Sequence, residues 1–463
     1  MAAGTIRELI LKNLDFEPNS EQLALVAALA AFVTDHGDLD VFVLNGYAGT
    51  GKTSIIGALV KALGALKKKT VVLAPTGRAA KVASKFSSGK ASTIHKRLFR
   101  GNSLDPVNQK FFLAENKDFD TIFIVDEASL ITDGNSLSTS LLLQLIRHVY
   151  HGKGCSLILL GDLAQLPPVG QDRSLAMDAA RLRSAGLNPI CFSLVQPARQ
   201  EIDSGILFNA TIVRQFLLSN FPIENFSIYK RGFNDVEIVD SSELFDSLYS
   251  SWKHVGKDET IVITRSNFRA NNINNAIRKY LLDADAPLIP GERLIIAKND
   301  YYWSKENKLD NFLANGESII VNHQGKLTKK YGRWFADSEI QIPGNTEPLS
   351  VKIMLRSLAT DGPAIPKDEM ERFYNRILST EEGELSQKIK AAFTNPFYNA
   401  LQVKYGYCVT CHKAQGGQWK NVFIDMGGLS HDLSESEFFR WLYTAVTRAT
   451  ERVYFINSPF PIE

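Results

Sequence analysis

The chain has 463 residues, enough for two to four domains, and 44% of them are apolar, as in ordinary globular proteins. It has 52 Lys and Arg against 50 Asp and Glu, so it is not a globally basic protein and any contact with nucleic acid must be local. Four scattered cysteines make neither a disulfide framework nor a zinc site, and we find neither a secretory signal pattern nor an apolar stretch long enough to span a bilayer. We therefore expect an intracellular, cytoplasmic protein.

Two helical patterns occupy residues 1–38, and Asn19 or Ser20 can cap the second one. Gln22 lies in the first turn of that helix. On the local pattern alone Gln22 belongs to the helix start, although an amide can also pair with the edge of an adenine because it donates and accepts at once.

The segment GYAGTGKT at residues 46–53 matches the phosphate-binding pattern G-x-x-x-x-G-K-[ST]. An apolar strand precedes it and a helical pattern follows, so backbone N–H groups and the helix dipole are expected to face an anion. Lys52 is predicted to reach the β- and γ-phosphates of ATP, and the Thr53 hydroxyl to ligate Mg²⁺. The predicted nucleotide-binding residues of this loop are Gly46, Ala48, Gly49, Thr50, Gly51, Lys52 and Thr53.

The next apolar strand, residues 70–74, runs into a loop that contains Thr76 and Arg78. Ligands meet α/β sheets at the C-terminal ends of strands, so both side chains can hold an anion such as a nucleic-acid phosphate. The alternative is a helix cap and a solvated arginine. Residues 98–116 are irregular and can form a small hairpin, on which Phe111 and Phe112 either wedge base pairs apart or pack against the lobe.

Two further apolar strands end in polar residues suited to phosphate chemistry. Asp126 and Glu127 follow the strand at residues 121–125, where Asp126 can hold Mg²⁺ through its water shell and Glu127 can deprotonate an attacking water. Gln165 follows the strand at 156–160 and can sense a γ-phosphate.

Residues 170–200 are interpreted as a connector, and the strand at 189–194 is expected to begin a second α/β lobe without a phosphate loop of its own. Asn267 precedes an Asn-rich helix of that lobe and is predicted to contact DNA. Residues 290–400 contain short strands, followed by a charged helix near 368–389. Within them, residues 329–334 mix cations with aromatics, which suits a single strand of bases or an ordinary solvated hairpin.

The chain contains, in this order, the segments GYAGTGKT, APTGRAA, STIH, DEAS, GDLAQLPPV, ARQ, NGE, CVTCHKAQGGQ and YTAVTRA. In sequence and order they resemble the motifs of superfamily 1 DNA helicases of the 5′→3′ RecD-like and Dda-like branch. The resemblance covers nearly the whole chain. It implies an α/β fold of two RecA-like P-loop NTPase lobes, with a small pin insertion in the first and an SH3-like β-barrel insertion in the second. The expected boundaries are 1–97 and 117–178 for the first lobe, 98–116 for the pin, 179–289 and 401–463 for the second lobe, and 290–400 for the β insertion with its helical extension.

The resemblance also implies roles for residues outside the phosphate loop. Gln22 matches the glutamine that reads adenine, which reverses the interpretation from its local pattern. Arg199 and Arg448 match two arginines that the second lobe directs at the γ-phosphate, and Gly416 matches a glycine whose backbone approaches the nucleotide. The positions that match contacts to the DNA backbone are Pro75, Thr76, Thr93, His95, Thr410 and His412.

We therefore expect an ATP-dependent DNA helicase that moves 5′→3′ on single-stranded DNA and acts at duplex junctions. The family pattern favours a monomer, with replication or repair proteins as partners. Two alternatives stay open at this point. One is a single-strand translocase that displaces bound proteins, and the other is a DNA-stimulated ATPase that is not a motor. RNA as the main substrate is less favoured.

Overall fold

The computed structural model describes residues 3–87, 91–101, 111–134, 140–197, 203–219, 221–309, 312–343, 345–427 and 434–463. Three main sheets organise these residues: a six-stranded and a five-stranded parallel sheet, and a five-stranded antiparallel sheet. Among the same residues, no helix combines the length and apolarity needed to cross a bilayer.

The first parallel sheet lies in the N-terminal part of the chain and has the strand order β3-β2-β6-β7-β1-β8. Its central strands β6 and β7 are buried along their whole length, because apolar clusters cover both faces of the sheet. The strands of this part are β1 (Asp40–Gly46), β2 (Lys69–Ala74), β3 (Ser92–Thr93), β4 (Phe99–Gly101), β5 (Phe111–Leu113), β6 (Thr121–Val125), β7 (Ser156–Gly161) and β8 (Asn188–Leu194). The helices are α1 (Ala3–Lys12), α2 (Ser20–Thr34), α3 (Lys52–Ala65), α4 (Gly77–Ser84), α5 (Ile94–Leu98), α6 (Leu141–His151) and α7 (Ala179–Ser184).

Strand β8 corrects one prediction from the sequence. We expected it to begin the second lobe, but it pairs in parallel with β1, from Asn188 opposite Asp40 to Leu194 opposite Gly46. Most of its side chains are exposed or half-buried, as at the edge of a sheet. The local pattern identified a strand but carried no information about which sheet it joins, and the chain leaves the first sheet only after residue 194.

The small hairpin expected at residues 98–116 is represented by β4 and β5, which pair in antiparallel fashion. Phe111 and Phe112 belong to β5 by their backbone. The connecting residues 102–110 lie outside the described part of the chain. The role of the two phenylalanines as a wedge therefore stays a prediction.

The second parallel sheet has the strand order β16-β10-β17-β18-β9 and forms the second lobe. Helix α15 packs on it beside α8, and both contribute to the largest apolar cluster of this lobe. The elements are α8 (Gly205–Ser219), β9 (Val236–Val239), α9 (Leu244–Val255), β10 (Thr260–Thr264), α10 (Asn267–Leu281) and, after the insertion, β16 (Cys408–Thr410), α14 (Cys411–Ala414), β17 (Trp419–Asp425), α15 (Glu435–Val446) and β18 (Ala449–Ile456).

The antiparallel sheet forms the insertion between α10 and β16, with the order β14-β13-β12-β11-β15. The β-rich character expected for this region is present, but β15 lies beyond the expected boundary at residue 400, and the single charged helix is in fact two helices. The elements are β11 (Arg293–Ile296), α11 (Tyr302–Glu306), β12 (Ser318–Lys330), β13 (Arg333–Gln341), β14 (Leu349–Met354), α12 (Lys367–Thr380), α13 (Leu385–Thr394) and β15 (Val403–Tyr405).

A buried ion pair connects the insertion to the second lobe. Arg278 of α10 donates from Nε to Oε1 of Glu292, which directly precedes β11, over 2.6 Å, and Glu292 is fully buried. The Ile289 N–H donates to the other carboxylate oxygen over 3.1 Å. Burial raises the pKa of Glu292, whereas Arg278 opposes that rise. Arg278 is therefore the group that makes a buried carboxylate tolerable at this junction.

Replacing Glu292→Ala is predicted to lower the free energy of unfolding by about 3–5 kcal/mol, because Arg278 then remains buried without its partner. The matched control is Glu451→Ala, which removes an exposed ion pair with Lys420 and is expected to cost about 0–1 kcal/mol. Urea denaturation followed by tryptophan fluorescence measures both. Equal effects of the two substitutions would contradict the role given to the buried pair.

Candidate functional site

The loop between β1 and α3 has the backbone geometry that the phosphate-binding pattern predicts. Gly49 and Gly51 adopt φ angles of +70° and +79°, a left-handed region in which side chains are strained. Helix α3 begins directly after Gly51, at Lys52. The N–H groups of the first helical turn therefore face the space enclosed by the loop, where the helix dipole favours an anion.

Gln22 supports this loop from beneath. Its Nε2 donates to the Thr50 carbonyl over 3.0 Å, and its Oε1 accepts from the Asn19 N–H over 2.8 Å. Asn19 in turn caps α2 by accepting from the Gln22 N–H. The side chain is 1% exposed. These contacts support the interpretation as a helix start, and adenine reading by Gln22 stays a prediction.

Two carboxylates stand at the end of β6, facing the loop. Burial and the neighbouring Glu127 raise the pKa of Asp126 to about 6, while Lys52 acts in the opposite direction. Lys52 itself donates from Nζ to the Gly161 carbonyl over 3.2 Å, which places its ammonium group between β6 and β7. The carboxylate of Asp126 and the exposed hydroxyl of Thr53 are oxygen donors of the kind that Mg²⁺ prefers.

Two acceptors in this region have no protein partner. Within the described ranges, no donor lies within hydrogen-bond distance of the buried atoms Glu127 Oε2 and Gln165 Oε1. Glu127 is also held at φ +51°, an uncommon conformation for a residue other than glycine. Buried acceptors without donors are costly, and strained backbone clusters at functional sites. Both residues line the same cleft as the phosphate loop.

This cleft has a volume of about 480 Å³ and lies between the two parallel sheets. The second lobe contributes Gly416, Gly417 and Arg448 to its wall. Arg448 is 4% exposed and donates to the carbonyls of Thr444, over 2.9 Å, and Gly417, over 3.3 Å. Arg199, the other predicted arginine, lies outside the described residues.

Gly416 lies against the first lobe. It has a φ of +71°, and a Cβ atom at this position would approach the Cβ of Ala79 to 2.9 Å and the hydroxyl of Thr76 to 3.2 Å. A residue with a side chain would therefore force α4 and this turn apart. The requirement for glycine comes here from the contact between the lobes as well as from the backbone angle.

Tyr443 of α15 makes a hydrogen-bonded connection between the lobes that the sequence did not predict. Its hydroxyl accepts from the Ala48 N–H of the phosphate loop over 2.8 Å and donates to Oδ2 of Asp162 over 2.8 Å. The side chain is 1% exposed, and burial raises the pKa of Tyr443 well above its usual range, so the hydroxyl remains protonated. A second-lobe side chain therefore touches the phosphate loop and the end of β7 at once.

The segment after β7 is held to the second lobe by further contacts. The Leu166 N–H donates to the Thr444 hydroxyl over 2.8 Å, and Gln415 donates from Nε2 to the Leu166 carbonyl over 2.7 Å. Arg440 donates to the carbonyls of Leu163 and Gln165. Gln165 thus lies on a segment whose backbone is hydrogen-bonded to the second lobe.

The residues predicted to contact DNA lie mostly at the C-terminal ends of strands. Thr76 follows β2 and caps α4, and Thr93 ends β3 and caps α5. Thr410 ends β16 and is buried, whereas His95 and His412 are exposed. Pro75 and Asn267, the remaining two, are half-buried at the starts of the segments leading into α4 and α10.

Arg78 has a role that the sequence did not reveal. Its guanidinium lies over the Trp419 ring at 4.7 Å and donates to the Lys413 carbonyl over 3.4 Å. Burial, followed by repulsion from Arg293, lowers the pKa of Arg78 to about 10. The half-buried side chain packs between the two lobes, and its contact with DNA stays a prediction.

Comparisons with known proteins agree with this arrangement. Residues 17–191 match the family described as an AAA domain, and residues 405–456 match the UvrD-like helicase C-terminal domain. The chain is 34% identical to the ATP-dependent RecD2 DNA helicase of Deinococcus radiodurans, covering 90% of this chain and 47% of that protein. It is 24% identical to the ATP-dependent DNA helicase dda of Enterobacteria phage T4, covering 89% and 93%.

The chain is similar to these two helicases over about nine-tenths of its length. Among solved structures, that of a Bacteroides Pif1 helicase in complex with ADP-AlF3 and single-stranded DNA aligns with a TM-score of 0.49 at 16% identity, over 96% of this chain and 93% of that one. The two family matches fall on the two halves of the cleft: the first contains the phosphate loop with both carboxylates, and the second contains Gly416 and Arg448.

Tyr443→Phe is predicted to loosen the phosphate loop. The Ala48 N–H loses its acceptor, so its hydrogen exchange should accelerate about fivefold, since one intramolecular hydrogen bond contributes ~1 kcal/mol net. Hydrogen-exchange mass spectrometry measures this on peptides that contain residues 46–51. The control is Tyr454→Phe in β18, where the ring stacks on Phe423. Unchanged exchange of the loop would show that Tyr443 does not hold it.

Proposed function

We propose that the protein is an ATP-dependent DNA helicase that hydrolyses ATP between its two lobes and moves 5′→3′ on single-stranded DNA to open duplexes. The observation that carries this proposal is the pair of buried acceptors without donors, Glu127 Oε2 and Gln165 Oε1, in a cleft lined by the phosphate loop. The names of the RecD2 and dda relatives support the same activity, and the direction rests on the motif resemblance alone.

Glu127 is proposed as the general base of hydrolysis. It accepts a proton from water as the water oxygen bonds to the γ-phosphorus, and the bond from that phosphorus to the β–γ bridging oxygen breaks to leave ADP and phosphate. Lys52 stabilises the charge on the β- and γ-phosphates. Asp126 and Thr53 would hold Mg²⁺ as oxygen donors, and the ion would supply positive charge to the phosphates.

Arg448 is proposed to complete the site when the lobes close. In the present arrangement its guanidinium is bound to carbonyls of its own lobe and lines the cleft. A guanidinium has five N–H donors, so those that are not bound within its own lobe can turn to a γ-phosphate. Arg199 is proposed for the same task. Arginines that act in this way contribute about 10³–10⁵ in rate.

We propose that single-stranded DNA runs across the C-terminal ends of β2, β3 and β16, where Thr76, Thr93 and Thr410 lie. Polar side chains and helix N-termini at these strand ends suit phosphate oxygens. Closure and reopening of the cleft then change the distance between the DNA-binding surface of the first lobe and that of the second lobe. Strand β16 belongs to the second sheet and the other two strands to the first, which is the division that such a ratchet requires.

The proposed domains are 1–97 and 117–194 for the first RecA-like lobe, 98–116 for a pin that separates strands, 195–289 and 406–463 for the second lobe, and 290–405 for an SH3-like insertion that includes β15. We propose duplex junctions as the substrate, a monomer as the active form, replication or repair proteins as partners, and an intracellular or nucleoid location, as for other proteins that act on DNA.

The proposal is tested on forked, 5′-tailed and 3′-tailed duplexes with ATP and Mg²⁺. The forked and 5′-tailed substrates are expected to open and the 3′-tailed one to remain paired. Lys52→Ala is the matched control, and it should lower ATP turnover about 10²-fold or more because it removes a donor to the developing phosphate charge.

Each other outcome has a definite meaning. Equal opening of both tailed substrates would contradict the direction of movement. Clearance of a protein block from single-stranded DNA without any opening of duplexes would identify a translocase. Normal DNA-stimulated ATP turnover by the Lys52 variant would place the active site elsewhere.

A further inference from the structure

A groove of the insertion has no role in the proposed motor. It has a volume of about 900 Å³ and lies between the β12–β13 turn, the turn after β14, and helix α12. Phe373 and Leu358 are buried, at 2% and 6% exposed, and contribute apolar lining. Trp334, by contrast, is 50% exposed at the groove, and Leu327 is 38% exposed beside it. The groove therefore offers both an apolar interior and an accessible aromatic surface.

Four arginines line this groove against a single carboxylate. Arg333 and Arg356 share that carboxylate, Glu369, at 2.9 and 3.3 Å. Arg376 donates to the Tyr331 carbonyl over 3.2 Å, and Arg372 pairs with Asp368 one turn earlier on α12. Each guanidinium has five N–H donors, so these contacts leave several donors for a ligand. The excess of positive charge selects an anionic occupant.

The exposed ring of Trp334 favours nucleic acid over other anionic ligands. Lys329 lies over the Trp334 ring at 5.8 Å, and half of the side chain remains accessible. Bases stack on such rings regardless of sequence, and arginines beside them bind the phosphates of the same strand. An acidic protein segment could use the arginines but has no equivalent need for the indole.

The groove also adjoins the proposed DNA track. Leu358 and Ala359 form one wall, and the next residue, Thr360, accepts through its carbonyl from Asn271 Nδ2 over 2.7 Å. Asn271 lies one helical turn beyond Asn267 on α10. One helical turn of α10 therefore separates Asn267 from the residue that contacts this wall of the insertion.

We propose that this groove is a second binding site for single-stranded nucleic acid, in which Arg372 and Arg376 bind phosphates and Trp334 stacks on a base. It extends the strand contact of the motor onto the insertion and rests on the proposed function for the identity of the ligand.

The test compares the binding of a short oligothymidylate, which fills only the track across the lobes, with that of a longer one that can reach the groove. Trp334→Ala is expected to weaken the longer strand about fivefold or more, the lower end of what one stacked base contributes. Arg372→Gln should reduce the slope of log affinity against log salt by about 0.7, the value for one lost phosphate contact on a single strand. Both variants should bind the short strand like the unmodified protein.

Lys367→Gln is the matched control for charge. It removes a cation from the same helix, but its side chain is 93% exposed and does not line the groove. Arg372 is itself 71% exposed, so its replacement should not disturb folding. DNA-stimulated ATP turnover is measured on every sample and reports the motor separately from the groove.

If all variants bound the long strand with equal affinity and had normal ATP turnover, the proposed binding site in the groove would be wrong. The proposed motor function would not be affected. Absence of any binding or stimulation by DNA in the unmodified protein would overturn both proposals. The fluorescence of Trp334 is the part of the emission that the Trp334→Phe variant lacks. If polyglutamate quenched this emission and oligothymidylate did not, the groove would bind an acidic protein segment and the proposal would be wrong.

Discussion

The nucleotide cleft depends on a buried hydrogen-bonded junction between the lobes, in which Tyr443 bridges the Ala48 N–H and the Asp162 carboxylate. Burial raises the pKa of Asp162 as well as that of Tyr443. Because both groups are removed from water, each needs the hydrogen bonds that its protein partners provide. Leaving a buried polar group unpaired costs about 1–3 kcal/mol. Any movement of the lobes must therefore exchange these bonds for others, and phosphate oxygens in the cleft are acceptors that can take the loop N–H groups.

The hydrogen bonds between the lobes also fix where the other cleft residues lie. Gln165 lies on a segment whose backbone is bonded to Thr444 and Gln415 of the second lobe, while Glu127 belongs to the first lobe. Their unpaired oxygens are consistent with a site that is complete only when water and phosphate are present. Arg448, bonded to its own lobe, and Lys52 of the phosphate loop are cations that line this cleft.

The sequence predicted the local chemistry well because phosphate binding imposes order and spacing on neighbouring residues. The phosphate loop and the polar ends of β2, β6 and β7 were all identified from strand and glycine patterns. Tyr443 was missed because its partners are 395 and 281 positions away in the chain, and no local pattern carries such a contact. The contact of Arg78 with Trp419 and the pairing of β8 with β1 were missed for the same reason.

The insertion shows how packing between distant segments adds to what a local pattern indicates. Residues 329–334 suited either a strand of bases or a solvated hairpin. Helix α12 lies far along the chain but places Arg372 and Arg376 beside that turn, and so creates an enclosed groove in place of a bare hairpin. Only the packing of α12 on the sheet, through Phe373 and Phe335, reveals this.

The central claim is that occupancy of the cleft sets the distance between the two lobes. Cys191 of β8 is exposed, whereas the other three cysteines are buried, so one dye on Cys191 and one on an exposed Ser250→Cys in α9 report that distance by single-molecule energy transfer. The account predicts a shorter distance with a non-hydrolysable ATP analogue, a return with ADP, and no change in the Lys52→Ala variant. The same distance in all nucleotide states would contradict it.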